Sequence, residues 1–173
     1  MAKAKTSPFW LTASVDLSVA GAAGYTQGTI PLGSYIDVAA KQAVAILEVD
    51  YIAQNGTSLS RDLGQDCMVD FQLTDINRNA LVAADDTALI SSGGLAFELA
   101  SPKSMTSAGD FYPDSFGTLD EARMVVNDDI FFGAQVSSVS GAPTKATVRI
   151  KATVVKLSEK DFMALALTSV ASA

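Results

Sequence analysis

TKATVRIKATVVKLSEKDFMALALTSVASA, residues 144–173, changes its hydrophobic rhythm halfway along. From Thr144 the apolar side chains Ala146, Val148, Ile150, Ala152 and Val154 alternate with Lys145, Thr147, Arg149, Lys151 and Thr153. A period of two places the first set on one face of a β-strand and the second on the other. Carried to Leu157, that strand spans about 46 Å, long enough to run the length of a sandwich. Ser158 then stands as an N-cap, with Asp161 three residues on at the spacing of a capping box. Phe162, Leu165, Ala166 and Ser169 share one helical face, and Met163, Leu167 and Val170 make the adjoining one. A helix this short is marginal alone, so it is expected to dock.

The same alternation recurs upstream. Cys67, Val69, Phe71 and Leu73 form one apolar face of a strand over 67–75. Residues 43–53 place Ala43, Ala45, Leu47, Val49 and Tyr51 on one face, with Glu48 and Asp50 on the other. Residues 10–19, 28–38, 95–100, 122–127 and 130–138 also read as strands, with Pro31 requiring an edge or a bulge. With 144–157 this makes eight, joined by turn-rich pieces such as GAAG at 21–24 and SGAP at 140–143. Residues 83–90, AADDTALI, read as a minor helix. The pattern predicts an all-β, eight-stranded jelly-roll-type β-sandwich with a short C-terminal helix. An immunoglobulin-like sandwich is the alternative. One domain is expected over 1–173: an N-terminal extension at 1–9, a long inserted loop at 101–121 and the helical tail at 158–173.

Charged residues make up only 18% of the 173 residues, against 49% hydrophobic. A chain with so few charges is expected to bury apolar surface against other subunits. The formal charge of −7 disfavours phosphate backbones. The opening segment is a poor signal peptide, because Thr12, Ser14 and Asp16 break its apolar run. No apolar stretch has the length of a transmembrane segment. The expectation is a soluble protein or part of a soluble assembly.

There is no histidine, which removes Ser–His–Asp and Cys–His catalysis and most zinc sites. The lone Cys67 lies on an apolar strand face and reads as a core thiol rather than a nucleophile. No P-loop, GxGxxG or CxxC motif is present. A carboxylate-pair hydrolase keeps its residue types but no spacing that selects a pair. The expectation is a protein that is not an enzyme, with no cofactor and no small-molecule substrate. One stretch echoes a calcium loop: Asp75, Asn77 and Asn79 alternate, and Asp86 stands twelfth. Ala80 replaces the sixth-position glycine, so an Asx-rich turn competes with the metal reading. Asp128–Asp129, between two apolar strands, read as a hairpin turn.

Lys145, Arg149 and Lys151 form a cationic stripe. It is either a solvated face or the partner of the acidic face holding Glu48 and Asp50, within the sheet or across a subunit boundary. As a nucleic-acid footprint it is thin. Adjacent Phe131 and Phe132 must point to opposite faces. Phe111, Tyr112 and Phe116 are too apolar for a free loop and are expected to pack on the domain or a neighbour. A glycan-stacking loop, as in lectins, is the competing use.

GTIPLGSYIDVAAKQAVAILEVDY at 28–51 and ARMVVNDDIFFGAQVSSVSGAPTKATVRIKATVVKLSE at 122–159 resemble viral single-jelly-roll capsid proteins of icosahedral DNA viruses of archaea and bacteria. The resemblance implies an eight-stranded roll that packs into pseudo-hexameric capsomers in a virion, without catalysis or an obligatory cofactor. It also implies partners that are other copies of the chain and other capsid proteins. Many RNA-virus coat proteins of this fold carry an arginine-rich arm, whereas only Lys3 and Lys5 precede the first strand here. The functional expectation is a self-assembling coat subunit, with Lys145, Arg149, Lys151, Phe111, Tyr112, Phe116, Phe162 and Leu165 as interface candidates. The rival is a carbohydrate- or cell-surface-binding β-sandwich module, a lectin or virion spike.

Overall fold

The computed structural model describes residues 2–17, 24–64, 66–98, 105–110, 116–136 and 143–171. Its strands are β1 (Lys3–Ala4), β2 (Phe9–Leu17), β3 (Tyr25–Pro31), β4 (Gln42–Asn55), β5 (Cys67–Thr74), β6 (Leu89–Glu98), β7 (Met105–Asp110), β8 (Arg123–Val125), β9 (Asp129–Val136) and β10 (Thr144–Lys156). One helix, α1, spans Glu159–Ala171. Two five-stranded antiparallel sheets result. In the first, β10 lies between β4 and the successive strands β1 and β2, and β8 flanks β4. The second runs β3-β9-β5-β6-β7.

The pairing is nested. β2 pairs with β10, β3 with β9, β4 with β8, and β5 with β6. One long antiparallel hairpin, rolled up, produces that nesting. Rolling also brings β4 against β10 and β5 against β9, as observed. This is the jelly roll of two Greek keys, as the alternation predicted. β7 adds a strand outside β6.

The core lies between the sheets. Ala146, Val148, Ile150 and Ala152 of β10 have no exposed surface. Opposite them Phe71 stacks on Tyr51 at 5.2 Å between ring centroids, and Phe132 lies 6.2 Å from Tyr51. Phe132 is buried, while Phe131 stands half-buried on the outer face, as their adjacency required. Cys67 is buried among these side chains. Burial pushes its thiol up in pKa, as does the nearby charge of Asp66. Both effects disfavour a nucleophilic thiolate. Pro31 ends β3, an edge strand, where its missing N–H costs no ladder bond.

Four expectations need correction. Residues 83–90 form no helix. Asp86 N–H donates to the Ala83 carbonyl, Leu89 N–H to the Asp86 carbonyl, and Ala88 N–H to Asp86 Oδ1. These turns deliver the buried pair Leu89 and Ile90 into β6, where pairing with β5 outweighs weak helix propensity. The apolar row of 43–53 does not stay on one face. A bulge at Leu47 shifts the register between Lys151 and Ala152, so Ala43 and Ala45 turn outward while Val49 and Ala53 stay in the core. The 101–121 stretch is not all loop, because Met105–Asp110 pairs with β6. Finally, Asn127 and Asp128 form no hairpin. They are a corner between sheets, held by Asn127 Nδ2 donating to the Asp75 carbonyl (2.7 Å) and Leu32 N–H to the Asp128 carbonyl (2.6 Å).

Candidate assembly surfaces

The outer face of the first sheet carries the cationic stripe. Lys151 Nζ lies 3.3 Å from Glu48 Oε2, and Lys145 Nζ lies 3.5 Å from Asp16 Oδ1. Arg149 stands opposite Asp50 in register and stacks its guanidinium 4.8 Å from the centroid of the Trp10 ring. Ser14 and Thr147 hydroxyls bond across the same face at 2.8 Å. The acids that meet the stripe therefore belong to its own sheet. Such exposed pairs contribute only about 0–1 kcal/mol each, but they consume the positive potential a polyanion would need. Trp10 remains 45% exposed over them. The sequence carried no signal for its outward position, because Phe9, Trp10 and Leu11 are apolar in succession and show no alternation.

Three of the four calcium candidates are engaged by other side chains. Asp75 Oδ2 pairs with Arg123 at 3.3 Å, and Asp86 Oδ1 with Arg78 at 3.4 Å. Asn77 Oδ1 accepts from Gln27 Nε2 at 2.8 Å, and Asn79 is exposed. Among the described residues no three His, Cys, Asp or Glu side chains cluster as metal ligands. The segment 75–88 instead lies over the outer face of the second sheet. Gln72 holds it there, donating Nε2 to the Val82 carbonyl and accepting from Val82 N–H, both at 2.7 Å. Beneath it opens a cleft of about 240 Å³, lined by Asp70, Gln72, Leu81, Val82, Ala84 and Ser92. Burial alone pushes the Asp70 carboxyl up in pKa. A lone mid-strand acid carries no sequence signal for such a place.

Phe116 packs against the core, and its N–H donates to the Leu47 carbonyl at the bulge (3.0 Å). Phe111 and Tyr112 lie outside the described residues. The C-terminal helix begins as its capping residues required: Asp161 N–H donates to Ser158 Oγ at 3.2 Å, and Ser158 Oγ lies 2.7 Å from Asp161 Oδ2. Phe162 is buried and Leu165 half-buried over a second apolar cluster, formed by Ala43, Ala45, Val155 and Leu157. The helix thus covers the outer face of its own sheet beyond the bulge. Lys41 Nζ pins its start to Glu159 at 2.9 Å and lowers that carboxyl's pKa. Met163 and Leu167, one turn apart, remain 55% and 66% exposed.

Together the strand nesting and these surfaces define a jelly-roll β-sandwich that presents several separate faces. No family model and no curated protein matches the chain. One solved structure that it is similar to is a cryo-EM structure of a virus-like particle of the extra small virus of the giant freshwater prawn Macrobrachium rosenbergii. The identity is 12% and the TM-score 0.30, over 89% of this chain and 82% of that one. A likeness at that score carries no argument, and the roll stands here on its strand pairing. No described helix is long and apolar enough to cross a membrane.

Proposed function

We propose that this chain is a structural subunit that assembles with copies of itself into a viral coat, without a catalytic step. The fold alone hosts coat proteins, lectins and cupins alike, so the argument rests on surface chemistry. The observation that carries it is helix α1. From Phe162 to Ala171 the helix has no charged residue, and it lies on the surface with Met163 and Leu167 largely exposed. A helix apolar on both sides is one that is covered on both sides. The protein's own sheet covers one side, and a second copy covers the other. The low charged fraction of the whole chain agrees with this. The virion location and the setting in DNA viruses of archaea or bacteria, implied by the family resemblance, belong to the same proposal.

The glycan-binding alternative needs aromatics presented to solvent by the 101–121 stretch, and the one aromatic there among the described residues, Phe116, packs on the core instead. Light scattering of the purified chain over a range of protein and salt concentrations tests the proposal, with negative-stain images of the same samples. Large symmetric oligomers are expected. A chain that remains monomeric throughout and binds glycans saturably overturns it.

A further inference from the structure

The loop between β4 and β5 is built to present one apolar side chain. Leu59 adopts a left-handed backbone (φ 57°), a region that residues other than glycine seldom occupy. Hydrogen bonds hold it there. Leu59 N–H donates to the Asn55 carbonyl (2.9 Å), and Gln54 Nε2 donates to the Leu59 carbonyl (3.0 Å). The Asn55 side chain accepts from Thr57 and Ser58 N–H groups and donates to the Asp62 carbonyl. Buried Leu63 anchors the far side of the loop in the core. Yet Leu59 itself is 59% exposed, and Arg61 beside it is exposed with no ion pair among the described residues.

The cleft beneath residues 75–88 has the opposite character. Its wall is apolar, from Leu81, Val82 and Ala84, and Asp70 stands at its floor. Among the described residues Asp70 has no hydrogen-bond or ion-pair partner, and burial disfavours its charge. At about 240 Å³ the cleft falls short of the roughly 300–1,000 Å³ of small-molecule sites. It suits one or two side chains. Knob and cleft are built from different residues: the loop precedes β5, while Asp70 and Gln72 of the cleft lie within that strand.

We propose that the 56–64 loop of one copy seats in the Asp70 cleft of the next, with Leu59 on the apolar wall and Arg61 against the carboxylate. The contact rests on the self-assembly reading and adds one defined interface to it. Knob and cleft are different patches, so the contact is head-to-tail, the kind that closes into a ring or continues as an array. Complementary charge selects a second copy as occupant: a guanidinium and a carboxylate that each lack an ion-pair partner among the described residues meet in a chain of net charge −7.

Sedimentation velocity on full-length variants tests it, with thermal melts as the control for folding. Leu59→Gly relieves the left-handed backbone, so its melting midpoint is expected to be no lower than that of the parent chain. Its association is expected to need about ten-fold more protein, or beyond, as for loss of a buried anchor. Arg61→Asp and Asp70→Arg should each abolish this contact alone and recover head-to-tail association when mixed, because the knob of each variant then meets a cleft of opposite charge in the other. Asp70→Asn keeps the shape of the site and should weaken association as well. If the parent chain assembles and these variants assemble at unchanged concentration, the contact is wrong and the coat reading survives. If single variants fail and their mixture also fails, the charge pairing is wrong. Saturable binding of an arginine amide to the cleft, with assembly untouched by Arg61→Asp, would assign the cleft to a free cationic ligand instead. A parent chain that never associates removes both proposals.

Discussion

Gly133 shows how one missing side chain positions an element. It lies in β9 opposite Gln27, and the Tyr25 ring crosses directly over it. The Tyr25 hydroxyl donates to Gln27 Oε1 at 2.8 Å and lies 3.0 Å from the Arg78 carbonyl, which ties edge strand β3 to the 75–88 segment. A β-carbon at Gly133 would collide with the hydroxyl oxygen and come within 2.7 Å of Cε2 and Cζ. Gly133→Ala is therefore expected to lower stability by about 1–3 kcal/mol in urea unfolding. An unchanged midpoint would mean that the ring swings away freely. Asp75 offers a pH signature. Burial raises its carboxyl pKa above 3.8, the neighbouring Asp86 adds to the rise, and Arg123 opposes it without winning. A raised carboxyl pKa means that the folded state holds the proton more tightly. Its contribution to stability is thus complete below pH 3.8 and fades as pH climbs through the folded value. Against Asp75→Asn, which cannot ionise, the parent chain should lose relative stability with rising pH across that window. Urea titrations in which the gap between the two stays level would show that Arg123 compensates fully. Neither residue was readable in advance. Gly133 sits in a strand like any other small residue, and Asp75 looked like part of a turn or a metal loop.

Among the elements, the helix and β4 depend on each other. The bulge at Leu47 turns Ala43 and Ala45 outward, and with Val155 they make a flat apolar floor of small side chains on which Phe162 lies. Phe162→Ala removes the largest contact between helix and floor. The expected loss is about 3 kcal/mol, measurable by denaturant unfolding at a concentration where the chain is monomeric. A loss below 1 kcal/mol would mean that the helix is held mainly by its charged start, Lys41 and Glu159. The start of the helix was plain in the sequence, since Ser158 and Asp161 are specific in spacing and side chain. Which face lies inward was not, because residues 162–171 carry no charge and have large apolar side chains on both faces. The outcome for β4 has a related cause. Alternation reports a face only while the register is unbroken, and apolar residues on both sides of a bulge conceal the break. The first half of β6 went unread for another reason: Ser91, Ser92, Gly93 and Gly94 have neither alternation nor β-branched bulk, and only pairing with β5 makes them a strand.

For the whole molecule, the same division holds. Local rhythm along the chain determined that the protein is a β-sandwich and that a long regular strand precedes a capped helix, and composition excluded histidine chemistry. Those features depend on neighbours within a few residues, and side-chain periodicity records them directly. Only the tertiary structure decided the rest: the bulge that makes a floor for the helix, the pairing of Lys151 with Glu48 inside one sheet, and the cleft over Asp70. Each depends on which distant segments the rolling of the hairpin brings together. That juxtaposition is set by the packing of two whole sheets, and no short stretch of sequence carries it.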